Sequence, residues 1–387
     1  MARHHGGAEP EPDRTGAEAL MGRGRRATGR VGRILHFITR PMKRDLGRGG
    51  IAVHPYRGYG SRREAFVMGR VFHQAALGRK IPHHGLLRDL ADVVRRIARR
   101  GVAGVRVEAS LGANRTTVTT DRDGFFDIHL PLETPLPKEL SWHQAELHVI
   151  RGEEQVHCHA EVYVPPPETD LLVISDIDDT VMVTGVADGL RVLYRLFVQK
   201  AHQRTAFPGV ASLYRALHVG VEGEARRPIL YVSRGPWGIY EMLEAFFQLN
   251  RIPVGPILFL REWGLSWRHP WPRPAQDHKH DLITRMLTIM EDLPCVLIGD
   301  SGQQDPEVYT RIVKEHPGRV KAIYIRRVDR KPNRERAIER LQQELAHSDC
   351  ELILAGDSVA MATHAYRQGW ISRADLSAVR QACVDEG

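Results

Sequence analysis

Two hydrophobic periodicities divide the chain. Between residues 66 and 164 apolar and polar positions alternate, and the segments 66–72, 104–110, 116–120, 125–132, 145–152 and 155–164 predict short strands. "DRDG" at 121–124 supplies the chemistry of a hairpin turn between two of them. A helical pattern over 86–101, ending on Gly101, interrupts the series. Past residue 170 the pattern changes to continuous apolar runs at 171–175, 229–233, 257–260, 295–299 and 321–325. Between them lie helical stretches at 186–200, 209–219, 237–250, 280–291 and 306–316, and 355–370 predicts a C-terminal helix packed on the sheet. Short apolar strands separated by helices predict an α/β fold, a parallel sheet with helices on both faces. The prolines of "VYVPPPETD" (162–170) cannot join a central strand and read as a stiff connector. The expected organisation is therefore a head at 1–50, a small β-sandwich-like domain at 51–165 and the α/β domain at 166–387.

Composition narrows this picture modestly. Of the 387 residues, 42% are hydrophobic and 26% charged, ordinary values for a globular protein. Cys158, Cys295, Cys350 and Cys383 show no CxxC spacing, which argues against a zinc ribbon or disulfide scaffold and for a reducing compartment. No apolar run approaches the roughly 20 residues of a membrane span, and the first thirty residues lack the apolar core of a secretory signal. A cytoplasmic location is expected, with a peripheral position at the membrane left open. The net charge of +8 is uneven: residues 1–50 hold eleven Lys/Arg against five Asp/Glu. Such a head is expected to be solvated and disordered. Within it Val31, Ile34, Leu35 and Ile38 recur at helical spacing among Arg33, Arg40, Lys43 and Arg44, up to Pro41. A short basic amphipathic helix can lie against an anionic membrane; packing on the protein body, or no helix, is the more ordinary outcome. No nucleic-acid partner is expected.

The chemistry gathers after the apolar strands. "LLVISDIDDTVMVTG" (171–185) runs from a strand straight into Asp176, Asp178, Asp179 and Thr180. Ser233 ends the next strand, Lys279 stands at the start of a helix, and "GDSGQQDPEVY" places Asp300 and Asp305 after a further strand. A parallel sheet delivers all of these to one edge, where ligands bind. Carboxylates so grouped repel one another unless a cation sits among them. An all-oxygen set of low ligand number suits magnesium, which keeps several waters and shares a substrate phosphate.

This ordered set resembles the haloacid-dehalogenase-like phosphatases, whose four motifs are DxDxT, a Ser or Thr ending the next strand, a Lys, and an acidic pair. Here they are Asp176 to Thr180, Ser233, Lys279, and Asp300 with Asp305, spread over about 130 residues. The resemblance implies a Rossmann-like sheet and fixed roles. Asp176 attacks phosphorus to form an aspartyl-phosphate. Asp178 protonates the leaving oxygen and then activates water. Ser233 and Lys279 hold phosphate oxygens, and Thr180 orients the loop. Mg²⁺ is held by Asp176, the backbone carbonyl of Asp178, and Asp300, with Asp305 behind them.

The flanks carry a narrower similarity. "HPYRGYGS" (54–61), "AFPGV" (206–210), "YVSRGPWGIYEML" (231–243), "HKHDLI" (278–283) and "IGDSGQQDPEVY" (298–309) resemble the actin-patch-protein phosphatidate phosphatase family. That family implies a Mg²⁺-dependent phosphatase converting phosphatidate to diacylglycerol, with a β-rich domain ahead of the catalytic one. One departure is Arg234 beside Ser233, where many relatives carry a small or amide residue; a guanidinium there adds affinity for phosphate or marks a different substrate. "TTVTTDRDGFFDIHL" (116–130) also resembles the turn and strand of transthyretin-like sandwiches.

The 52 residues between Thr180 and Ser233, and the 45 between Ser233 and Lys279, leave no room for a large cap domain. An open site suits a bulky substrate. Trp263, Trp267 and Trp271 can enter a lipid interface or simply pack their loop onto the body. His278 and His280 read as helix-start residues. His157 and His159 share one face of a strand without further ligands. The competing functional readings are a phosphatase for another phosphomonoester, such as a soluble metabolite or a phosphoprotein, and a lipid- or phosphate-binding scaffold without turnover.

Overall fold

A computed structural model describes residues 50–73, 100–177, 207–233, 237–259, 275–328 and 332–386. The basic head, the helices expected at 86–101 and 186–200, the tryptophan loop, and Asp178, Asp179, Thr180 and Arg234 lie outside the described residues, apart from Arg100 and Gly101. The fold is mixed α/β, built on two sheets.

The first sheet has eight strands: β1 (Ile51–Pro55), β2 (Gly58–Gly60), β3 (Glu64–His73), β4 (Arg106–Leu111), β5 (Asn114–Thr119), β6 (Phe125–Pro131), β7 (Trp142–Arg151) and β8 (Glu154–Tyr163). They run in the order β1-β3-β2-β8-β7-β4-β5, with β6 paired to β3, and all pairs are antiparallel except β2 with β8. β7 buries alternate residues, as a sheet with one wet face requires. β3 is buried on both faces, and its alternation shows why. Ala65, Val67 and Val71 join the core of the first sheet, while Phe66 and Met68 join the larger core around the second.

The second sheet is parallel throughout. It comprises β9 (Leu172–Asp176), β10 (Ile229–Ser233), β11 (Ile257–Phe259), β12 (Cys295–Asp300), β13 (Val320–Arg326) and β14 (Glu351–Ala355), in the order β11-β10-β9-β12-β13-β14. Five of these strands fall on the five apolar runs of the sequence, and β14 is an additional edge strand. The helices are α1 (Val210–Val219), α2 (Tyr240–Leu249), α3 (Ala275–Ile289), α4 (Asp305–Glu315), α5 (Pro332–Leu345), α6 (Ser358–Arg367) and α7 (Arg373–Glu386). α1, α6 and α7 pack together, as do α3, α4 and α5, and both groups touch the sheet. The chain builds outward from β9 through β10 to β11, then returns to place β12 on the other side of β9. That reversal opens a crevice at the carboxyl ends of β9 and β12.

The segment joining β1 to β2 fastens the two sheets. Tyr56 lays its ring 4.5 Å from Trp237 and 4.6 Å from Tyr240, and Trp237 opens the 3₁₀ turn that leads into α2. Arg57 pairs with Glu161 at 2.7 Å and with Glu244 of α2. The "HPYRGYGS" segment thus seats the 3₁₀ turn and α2 against the first sheet. Because β3 belongs to both cores, the described parts should unfold in one transition. Phe66→Ala is expected to cost about 3–5 kcal/mol in urea unfolding while fluorescence and circular dichroism midpoints stay coincident; separate midpoints for the two sheets would contradict the shared core.

Candidate active site

Four of the residues singled out in the sequence meet at the crevice. Asp176 is the last residue of β9, Asp300 the last of β12, Asp305 the first of α4, and Lys279 lies on α3. All are buried, Lys279 and Asp305 completely. One carboxylate oxygen from each of Asp176, Asp300 and Asp305 lies within 4.8 Å of the others. The Lys279 ammonium sits 2.7 Å from Asp176 Oδ1 and 2.5 Å from Asp305 Oδ1. Burial works against its charge, but the two carboxylates more than offset that, so its pKa lies above the ordinary lysine value. Three carboxylates facing one ammonium still leave the cluster strongly negative.

The loop from Asp300 to Asp305 is built to aim these groups. Asp300 Oδ1 accepts hydrogen bonds from the Gly302 and Gln303 N–H groups at 2.6 and 3.0 Å. Asp305 Oδ2 accepts the Asp300 N–H at 3.1 Å, so Asp305 ties Lys279 to the end of β12. Gly299 is required there, because a Cβ would stand 2.8 Å from Asp305 Cβ and collide with its carboxylate. Arg334, at the start of α5, donates from Nε to the Ser301 carbonyl at 2.8 Å, from Nη2 to the Gln303 carbonyl, and to the Glu307 carboxylate. Ser301 Oγ accepts the Val328 N–H at 3.1 Å.

Two tyrosines feel the negative cluster. Tyr214 of α1 shares a 2.6 Å hydrogen bond with Ser175, the residue before Asp176. Burial, with the Asp176 charge adding to it and the Ser175 bond opposing, pushes its phenol up to about 12. Tyr309 of α4 donates to the Ile298 carbonyl at 3.0 Å, and burial followed by the charges of Asp305, Asp176 and Asp300 raises its phenol well above the usual range.

Ser233 ends β10 and is buried; its neighbour Val232 stands opposite Asp176 in the ladder, so the hydroxyl belongs to the same edge. Two expectations need correction. Lys279 is not at a helix start, since α3 begins four residues earlier at Ala275. His280 is not a solvated cap residue: it is buried and its Nε2 lies 2.5 Å from a Glu315 oxygen. Asp305, which alone could have been a mere helix-start acid, has both carboxylate oxygens engaged within the cluster. Sequence reasoning missed Tyr214, Arg334 and Arg326. Arg326 ends β13 as Asp300 ends β12, and the two are partners in the ladder. A polar residue closing an apolar strand is the signal that marks Asp176, Ser233 and Asp300, and it points equally to Arg326. Burial lowers its guanidinium pKa to about 9, still charged at neutral pH.

A buried lysine clamped between carboxylates at the carboxyl edge of a parallel sheet, with a further aspartate alongside, is a charge arrangement compatible with phosphoryl transfer. Residues 171–327 match the family described as "Phosphatidate phosphatase APP1, catalytic domain". Over 164 residues the chain is 32% identical to the phosphatidate phosphatase APP1 of Saccharomyces cerevisiae, covering 42% of this chain and 27% of that protein. Over 213 residues it is 25% identical to an uncharacterized protein of Schizosaccharomyces pombe, covering 54% of this chain and 34% of that one. The alignments thus span about a third or less of these relatives' lengths. Among solved structures, a carbohydrate acetylesterase from Xanthomonas citri is similar over 75% of this chain and 73% of its own at 12% identity, with a TM-score of 0.25, too low to carry an argument.

The geometry predicts that Gly299→Ala displaces Asp305 from Lys279. Overpacking of this kind costs about 1–3 kcal/mol, measured as a lowered thermal midpoint, and divalent-cation affinity should fall with it. An unchanged cation affinity would separate Asp305 from the cluster.

Proposed function

We propose that the chain is a magnesium-dependent phosphatase that hydrolyses phosphatidate to diacylglycerol and phosphate through an aspartyl-phosphate on Asp176. The observation that carries this reading is the convergence of Asp176, Asp300, Asp305 and Lys279 in one buried cluster, together with the match of residues 171–327 to that phosphatase family. The order of the parallel strands supports a dehalogenase-like arrangement, preceded by a sandwich-like β domain. The division at residues 50 and 165, and the lack of a large cap, belong to the same reading.

The donor set fits a hard divalent ion: all ligand atoms are carboxylate oxygens, close enough to share one cation, and one ammonium stands among them in the described cluster. Asp176, Asp300 and the backbone carbonyl of Asp178 would hold Mg²⁺, with Asp305 behind them. When bound, the ion supplies charge neutralisation for phosphate oxygens gathered beside carboxylates. The remaining steps belong to the chain. Asp176 attacks the phosphorus, and the bond from phosphorus to the glycerol oxygen breaks. Asp178, two residues on, gives its proton to that oxygen. Asp178 then takes a proton from water, which attacks the same phosphorus and releases phosphate, restoring the Asp176 carboxylate. Lys279 offsets the charge of the nucleophile, which would otherwise repel the incoming phosphate. Ser233, which ends β10, holds a phosphate oxygen in this reading, with Arg234 next to it in the sequence as a second donor and Thr180 orienting the loop that carries Asp178.

A phospholipid substrate implies peripheral contact with an anionic membrane; no described helix is long and apolar enough to cross one. Asp176→Asn should lower phosphatidate turnover by at least about 10³-fold, and chelation of Mg²⁺ should abolish turnover reversibly, both read as phosphate released from mixed micelles. Residual activity in Asp176→Asn would remove the nucleophile assignment. A faster rate on a soluble aryl phosphate than on phosphatidate would favour the soluble-metabolite reading, and bound lipid with no turnover the scaffold.

A further inference from the structure

The strongest unassigned feature is a cation at the mouth of this cluster. Arg326 closes β13, and its carbonyl accepts the Ser301 N–H at 2.8 Å, which locks its backbone to the Asp300 loop. Its side chain lines a cavity with Asp176, Asp300, Tyr214 and, from the start of α6, Asp357 and Ser358, between the apolar Phe207, Val210 and Met361. Its Nε is buried without a hydrogen-bond partner among the described residues. The next residue, Arg327, is engaged by Glu335 at 3.1 Å, so the two adjacent arginines differ in what they have to offer. A buried donor left unmet is costly unless something fills it.

The other cation in the described cluster, Lys279, is spoken for by two carboxylates. A phosphomonoester dianion entering beside Asp176 and Asp300 is therefore favoured by a positive side chain in addition to the divalent ion. We propose that Arg326 is a phosphate-binding residue of this site, its planar fork receiving oxygens of the phosphate dianion in the cavity between α1, α6 and the ends of β9 and β12. A guanidinium suits this because it pairs two phosphate oxygens at once. The inference rests on the phosphatase reading and deepens it: Arg326 sets the preference for an anionic phosphate, whatever alcohol it esterifies.

The test uses the full chain with inorganic phosphate as probe, titrated calorimetrically in Mg²⁺ buffer, and Mg²⁺ titrated alone. Arg326→Gln should weaken phosphate binding roughly 10- to 100-fold with Mg²⁺ affinity and thermal midpoint retained. Arg326→Lys, which keeps the charge but not the fork, should fall between that variant and the parent; it decides the matter if Arg326→Gln does not fold. Unchanged phosphate affinity in the variants would overturn the proposal. So would a parallel loss of Mg²⁺ affinity, which would make Arg326 a support for Asp300. Turnover of phosphatidate by the unaltered chain is measured alongside. Its absence, with phosphate binding still dependent on Arg326, would sink the phosphatase reading and leave the anion site standing.

Discussion

Lys279 carries its ammonium in a place shut off from solvent, 2.7 Å from one carboxylate and 2.5 Å from another. Moving such an ion out of water costs several kcal/mol, as does moving each carboxylate. The arrangement holds only because each partner is anchored elsewhere: Asp176 by the central strand, and Asp305 by the N–H of Asp300 and the start of α4. A well-packed apolar substitute would be at least as stable in general terms, so buried charges gathered at the carboxyl ends of the central strands mark a candidate functional site. Everything that shapes the crevice, from the strand reversal at β9 to the glycine at 299, serves this one contact.

The rest of the structure forms a frame around it. The parallel sheet sets β9 and β12 side by side, which fixes the separation of Asp176 and Asp300. The loop after β12 is then immobilised from three directions: its own N–H groups on Asp300, Arg334 on its carbonyls, and Val328 on Ser301. The first sheet acts from further away. Its Tyr56 and Arg57 grip Trp237 and α2, which come after Ser233 in the sequence, and β3 contributes Phe66 and Met68 to the larger core around the parallel sheet.

Much of this is legible in the sequence because the physics is local. Each apolar run of the second sheet becomes a strand within a residue or two, and Asp176, Ser233 and Asp300 stand out as polar residues closing such runs. What escapes needs three dimensions. β14 starts with an exposed Glu351 and is only half buried, so its run is weak. Ahead of β3, the strands β1 and β2 are short and interrupted by Pro55 and Arg57, which mark a joint rather than a strand. Lys279 sits on an early turn of α3, and the start of that helix is hidden because "HPWPRPAQD" ahead of it is rich in proline and carries no helical pattern. Arg334 lies some thirty residues from the loop it clamps, and no periodicity links them. His280 has the look of a surface residue because its partner, Glu315, comes from the far end of α4.

The central claim, that Asp176, Asp300 and Asp305 with Lys279 form one cation-dependent centre, is tested most directly by a crystal structure of the protein grown with Mg²⁺ and orthovanadate. The account predicts octahedral density about 2.0–2.1 Å from carboxylate oxygens of Asp176 and Asp300, with vanadium facing Asp176. A magnesium ion bound elsewhere in an active enzyme, or vanadate seated away from Asp176, would contradict it.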